Sequence, residues 1–310
     1  MITINFLALF NQIIILFILI FIGFIIKQSK VVDREFINNL ATFIIYVTLP
    51  ALIINSMDYD FSVELLINVG ISFVITCLIY LLMIAVANLV IKPFDIAESK
   101  ASIYRFLIIF ANVGFMGYPV TYVLFGSEGV FLASIYNLVF NIMIWSIGVI
   151  IITSKDKSVK YFNYKQLLNP GIIAIVIGFS LFIAPFSLPE AIIGALEILG
   201  DSTIPLAMIV VGATLAQVKI SSIFYDLKLW LVALLRLIIL PAVVFLLLMF
   251  LPIDETVAGV IVLLTAMPAA TNTAIFAQEF GGDTTLASKG IFLTTLLAII
   301  TVPLVAMFIV

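Results

Sequence analysis

Asn112-Val113-Gly114-Phe115-Met116-Gly117-Tyr118-Pro119 lies inside one apolar run, and 155 residues later (112 to 267) Met267-Pro268-Ala269-Ala270-Thr271-Asn272-Thr273-Ala274 lies inside another. Each window sets glycine or proline beside amides and hydroxyls where a regular helix would otherwise continue. Proline removes a backbone donor, and its ring clashes with the preceding turn. Backbone groups freed in this way cannot face lipid, so such stretches survive only buried in protein or lining a wet cavity. The same offset carries Thr48-Leu49-Pro50 to Thr203-Ile204-Pro205, and Phe125-Gly126-Ser127-Glu128 to Phe280-Gly281-Gly282-Asp283. After a one-residue slip, Leu132-Ala133-Ser134 returns as Leu286-Ala287-Ser288. The 310 residues therefore read as two copies of one unit, a pattern characteristic of transporters.

Hydrophobic residues make up 65% of the chain and charged residues 10%, which excludes a soluble domain. Stretches approaching the roughly 20 residues that cross a bilayer lie near 5–27, 35–57, 65–91, 102–124, 129–152, 168–187, 197–217, 228–250, 256–279 and 286–309. The first lacks a basic leader and a small-residue cleavage site, so it reads as a retained span and not a signal peptide. Histidine is absent, which removes the commonest general base and metal ligand and most hydrolase or metalloenzyme readings. With no recognisable nucleophile–base pair, an intramembrane enzyme is the least supported class. The single cysteine, Cys77, cannot form a disulfide within one chain. No Walker A pattern suggests ATP drive. No metal, cofactor or nucleic-acid partner is expected, and coupling to Na+ or H+ stays open.

The basic residues order the spans. Lys27, Lys30 and Arg34 fall between the first and second, and Lys92, Lys100 and Arg105 surround the third connection. Lys155, Lys157, Lys160 and Lys165 occupy the central loop, Lys219, Lys228 and Arg236 flank or enter the seventh, and Lys289 follows the ninth span. The alternate connections, near 58–64, 125–128, 188–196 and 251–255, carry no Lys or Arg. By the positive-inside rule the odd-numbered loops are cytoplasmic, and both termini face outward. The polar stretch 153–166 is then a cytoplasmic linker between a first repeat, 1–152, and a second, 167–310. Five spans per copy force the second to enter from the opposite side. The expectation is an all-α polytopic cell-membrane protein of ten transmembrane helices, arranged as two inverted five-helix repeats, with broken helices four and nine crossing at mid-membrane.

At such a crossing the half-helices beyond the breaks would aim their positive N-terminal ends at one point and favour an anion. The residues expected to bind substrate there are Asn112, Gly114, Gly117, Tyr118, Pro119, Pro268, Thr271, Asn272 and Thr273. Asn137 and Asn141, four apart on one helical face, either line the same cavity or hydrogen-bond between helices. Arg236 either counters a substrate carboxylate or snorkels to the cytoplasmic surface. Asp201 and Glu279 stand near predicted span ends, as proton carriers or as solvated charges. Pro50 and Pro205 read as structural bends.

These motifs resemble the auxin efflux carrier family, which includes plant auxin exporters and bacterial permeases for malate or malonate. The likeness rests on Asn-x-x-x-Met-Gly-x-Pro at Asn112 to Pro119, on Pro268, and on Phe276-Ala277-Gln278-Glu279-Phe280. Tyr46-Val47-Thr48-Leu49-Pro50-Ala51 and Ile204-Pro205-Leu206-Ala207 ahead of Gly212-Ala213 extend it over essentially the whole chain. It implies a crossover in spans four and nine and an elevator-like motion of spans 3–5 and 8–10 against a dimeric scaffold of spans 1, 2, 6 and 7. It also implies small carboxylate substrates. Where plant members place a second crossover proline, this chain has Thr273, and their long cytoplasmic loop is missing, as in compact bacterial-type carriers. The reading is a secondary carrier of mono- or dicarboxylates such as malate. Its rivals are a sodium-coupled symporter of the bile-acid type, a cation/proton antiporter (disfavoured, since neither break holds an acidic pair) and a non-transporting receptor on the same fold.

Overall fold

The computed structural model describes residues 6–59, 61–94, 96–153, 169–184, 188–216 and 226–309, which are helical apart from turns and one isolated bridge. Helices α1 (Phe6–Gln28), α2 (Arg34–Ser56) and α3 (Val63–Ile91) precede a short α4 (Glu98–Ile109). A 40-residue run, Val113–Ile152, follows; Gly126 (φ 62°, ψ −153°) divides it into α5, 113–125, and α6, 127–152. Next come α7 (Pro170–Ile183), α8 (Glu190–Leu215), α9 (Leu227–Leu248), α10 (Glu255–Thr265), α11 (Asn272–Glu279) and α12 (Thr284–Ile309). Six helices among the described residues are long and apolar enough to cross a membrane: α2, α3, the 113–152 run, α8, α9 and α12. The interruptions at 110–112 and 266–271 overlap the two polar windows, the first only at Asn112. Beyond Thr153, the predicted linker lies outside the described residues.

Local chemistry sets the helix ends. Asp33 Oδ1 accepts the Phe36 N–H (2.7 Å), Asp254 Oδ1 those of Thr256 and Val257 (2.8 and 3.1 Å), and Asp283 Oδ1 that of Leu286 (2.9 Å), each satisfying donors a first turn leaves free. The repeated Phe-Gly pair does one job twice. Gly126 (φ 62°) and Gly281 (φ 73°) both take left-handed backbone conformations that a Cβ would penalise, and each turns the chain into its next helix. One boundary differs from expectation. Helix α8 starts at Glu190 and not near 197, because Pro189 presets the entry, so Asp201 lies in the helix interior and is exposed.

Of the four π turns among the described residues, Ile44–Thr48, Val113–Gly117 and Leu235–Ile239 each end two residues ahead of a proline, Pro50, Pro119 and Pro241, while the fourth, Ile144–Gly148, does not. A proline cannot bond to the carbonyl four residues back, and its ring pushes that carbonyl away. Widening the preceding turn relieves the clash and reroutes the bonds, as in Tyr118 N–H to Val113 O. Pro205 and Pro303 sit inside α8 and α12 without such a turn.

Two sets of helices pack mainly among themselves. Helix α1 lies along α8, and the second half of α2 packs on α7 and α8. Glycines make the first contact close: a Cβ on Gly212 would fall on the Ile20 carbonyl, and one on Gly23 on the Ile209 carbonyl. In the second set, α3 packs on α4 and on 118–143, α10 on that same run, and α12 on α9 and α11.

Candidate functional site

The two interruptions meet. Asn112 N–H donates to the Pro268 carbonyl (2.7 Å) and Ala270 N–H to the Phe110 carbonyl (2.9 Å), on either side of an antiparallel Ala111–Ala269 bridge. Peptide groups released by the helices thus satisfy one another, as burial requires. A local two-fold through the bridge exchanges the two bonds, so equivalent positions here differ by 158 residues (111 to 269) and not 155. The shift arises because the second interruption, 266–271, is longer than the first, 110–112. Helices α4 and α10 bring their carbonyl ends to this point, and α5 and α11 begin there with their positive ends. Asn112 caps α5 through Oδ1, which accepts from Phe115 N–H (3.2 Å).

Beside the crossing lies a cavity of about 190 Å³. Of the predicted residues, Asn112, Gly114, Asn137, Asn141, Thr271 and Asn272 line it. Gly117, Tyr118, Pro119, Pro268 and Thr273 do not; they are buried behind its wall. Gly117 packs against Leu264, where a Cβ would come within 2.8 Å of Cδ2, so its role is close approach of α10. Pro119 shapes the π turn that carries Gly114 to the cavity. Asn112 is 4% exposed, and its Nδ2 has no hydrogen-bond partner. The amide of Asn141 donates to the Asn137 carbonyl (2.8 Å), so these two both line the cavity and bond to each other. Asp201 and Glu279 are exposed and away from it.

Several lining residues escaped the sequence reading. Asn169 caps α7, accepting from Ile172 N–H (3.0 Å), while its Nδ2 donates to Asn141 Oδ1 (3.0 Å). Asn169-Pro170-Gly171 carries the signal of a helix start, which explains the residue without any cavity. Trp145 from α6 and Ile44, Ile45 and Leu49 from α2 complete an apolar side; nothing in their local sequence sets them apart from lipid-facing neighbours.

Arg236 does not snorkel. It is 0% exposed, donating from Nε to the Met267 carbonyl (3.0 Å) and from Nη1 to the Ile108 carbonyl (2.9 Å), with Ile109 O and Met83 Sδ at 3.4 and 3.3 Å. It therefore clasps the carbonyl end of α4 and the chain just past the end of α10. Its titratable neighbours are Tyr80 and Tyr136, and among the described residues no carboxylate pairs with it.

Six helices of spanning length, with two interrupted helical runs crossing beside a cavity that has a polar side, define a multi-pass membrane protein of transporter type. The chain belongs to the membrane transport protein family, matched over residues 8–306, which is the auxin efflux carrier-like family its motifs resemble. It is similar to an uncharacterized transporter of Methanocaldococcus jannaschii, 26% identical over 301 residues that cover 95% of this chain and 96% of the relative. A second uncharacterized transporter, from Methanothermobacter thermautotrophicus, is 28% identical over 289 residues, 93% of this chain and 94% of the relative. A Rhizobium meliloti protein whose name proposes malonate transport is 25% identical over 300 residues, 92% of this chain and 90% of the relative.

Proposed function

We propose that this protein is a secondary carrier of small organic anions, mono- or dicarboxylates of the size of malonate or malate, working by elevator-type alternating access. One observation carries the reading: the buried Asn112 amide keeps an unpartnered donor where two positive helix ends meet the cavity, on the side lined by asparagine and threonine. A buried donor without an acceptor costs about 1–3 kcal/mol, which a bound carboxylate would recover. Asn272, Thr271 and the amides around Gly114 would complete its contacts. The relative named for malonate supports the substrate class. So does the cavity, whose volume of about 190 Å³ lies below the roughly 300–1,000 Å³ of pockets for drug-sized ligands and disfavours a bile acid.

In this reading the chain forms ten spans in two inverted repeats, with both termini outward and the central loop in the cytoplasm. Support comes from the local two-fold at the crossing, the positive φ shared by Gly126 and Gly281, and the absence of Lys and Arg from the alternate connections. Helices α1, α2, α7 and α8 are the scaffold, and the rest carry substrate. The exposed Asp201, deep within the 26-residue α8, supports a homodimer: a carboxylate facing lipid at that depth is costly, and a second scaffold would cover it.

The test is flux in proteoliposomes with malate, malonate, lactate and an indole carboxylate, with and without sodium and proton gradients. The expected result is saturable flux of a small carboxylate that Asn112→Ala abolishes while membrane insertion is retained. Wild-type flux in Asn112→Ala would remove the proposed site, and ligand binding without flux would mean a receptor.

A further inference from the structure

We propose that Arg236 is the fixed positive charge that selects anions at this site, acting as a positioning residue through the crossing and without touching the substrate. The inference rests on the carrier reading above and assigns the origin of its charge preference. Guanidinium stays ionised in proteins, and a wholly buried one is expected to be paired. Arg236 is 0% exposed within α9, yet the ion pair found among the described residues joins Arg105 to Glu98. Its partners are neutral carbonyls, and Nη2 has none. A buried charge lacking an opposite charge is expensive in a membrane, and such residues mark functional sites.

The placement gives that charge a direction. Nε holds the Met267 carbonyl; the next residue, Pro268, accepts the bond from Asn112, and Thr271 of the same interruption lines the cavity. Two residues of chain run from Ile109, whose carbonyl Arg236 reaches, to Ala111 on the cavity wall, so the guanidinium lies no more than about 10 Å from the lining. By bonding Ile108 O in the last turn of α4 and Met267 O two residues past the end of α10, Arg236 also offsets negative charge those helix ends bring to the crossing. The positive ends of α5 and α11 are then left to dominate the potential on the cavity side. At an effective dielectric of about 20, a unit charge at that distance changes binding of a unit anion about tenfold. The empty crossing carries a net positive charge, and a bound monoanion neutralises it.

A charge ladder on one skeleton tests this: malonate with two negative charges, its monoamide malonamate with one, and malonamide with none. Affinities of full-length wild type, Arg236→Gln, Arg236→Lys and Asn112→Ala would be measured in nanodiscs by competition. The expected loss in Arg236→Gln is about hundredfold for malonate, about tenfold for malonamate and negligible for malonamide. Arg236→Lys keeps the charge but loses the planar fork, so it should keep the ladder with lower thermal stability. It serves alone if Arg236→Gln does not fold. Equal losses for all three ligands in Arg236→Gln, or a flattened ladder in Arg236→Lys, would make Arg236 a structural clasp only and overturn the proposal. Failure of the carrier reading looks different: wild type would bind no member of the ladder, or Asn112→Ala would bind each as wild type does.

Discussion

Asn169 joins two tasks in one side chain, and substitutions can separate them. Its Oδ1 caps α7 at Ile172 N–H while its Nδ2 holds Asn141 across the cavity. Asn169→Ala loses both, at a cost of about 1 kcal/mol for the cap alone. Asn169→Ser keeps a capping oxygen and should hold the melting temperature near wild type. Asn169→Asp also keeps the cap but sets a carboxylate on the cavity wall, where repulsion should lower anion uptake at least tenfold, a rough Coulomb estimate for like charges at contact range. The paired measurement is thermal melting in detergent with uptake in proteoliposomes. Equal uptake by the Ser and Asp variants would mean that Asn169 does not face the transported anion. Asn112 differs in kind, since its unpartnered Nδ2 stands at the crossing itself and its loss should remove substrate binding while sparing the fold.

Among the elements, the α1–α8 contact makes the sharpest stability prediction. Gly23 and Gly212 leave no room for a Cβ, because the opposing atoms are backbone carbonyls that no side-chain rotation can move. Gly212→Ala should therefore cost about 1–3 kcal/mol, as overpacking does, and lower the melting temperature. Gly70→Ala in α3, with nothing within 4 Å of the added methyl, should leave it unchanged or raise it. Equal melting of the two variants would show that α1 and α8 yield freely. The apolar runs, the polar windows and the repeat of the Phe-Gly pair were legible in the sequence because each rests on a local property, hydropathy, proline chemistry or residue identity at a fixed offset; that the pair marks a turn was not. The π turns ahead of Pro50, Pro119 and Pro241 are legible only in hindsight, since proline forces an irregularity without saying which, and the one at Ile144–Gly148 has no proline to mark it. The cavity wall from α2 and the clasp at Arg236 were not legible. Backbone carbonyls have no signature in a sequence, and the three that Arg236 reaches belong to segments 31 to 128 positions away.

For the whole molecule, the two sets of helices differ in how they are tied. Arg236 binds α9 to the ends of α4 and α10 and touches α3, all within the set that holds the crossing, so its bonds persist through any rigid movement of that set. The bond between Asn141 on α6 and Asn169 at the start of α7 runs from one set to the other. If the crossing rides up and down against the scaffold, this bond breaks in every cycle, and at about 0.5–1.5 kcal/mol it is weak enough not to slow the motion. A covalent link at the same place would not be. With Cys77 replaced by serine, Asn141→Cys and Asn169→Cys bridged by Hg2+ or a short bismaleimide should lower flux in proportion to the cross-linked fraction. Thiol should restore it after Hg2+, and neither single variant should respond. Undiminished flux through a fully cross-linked protein would mean that α6 and α7 do not part during transport. The moving boundary would then lie elsewhere, and the elevator reading would give way to local gating around a fixed crossing.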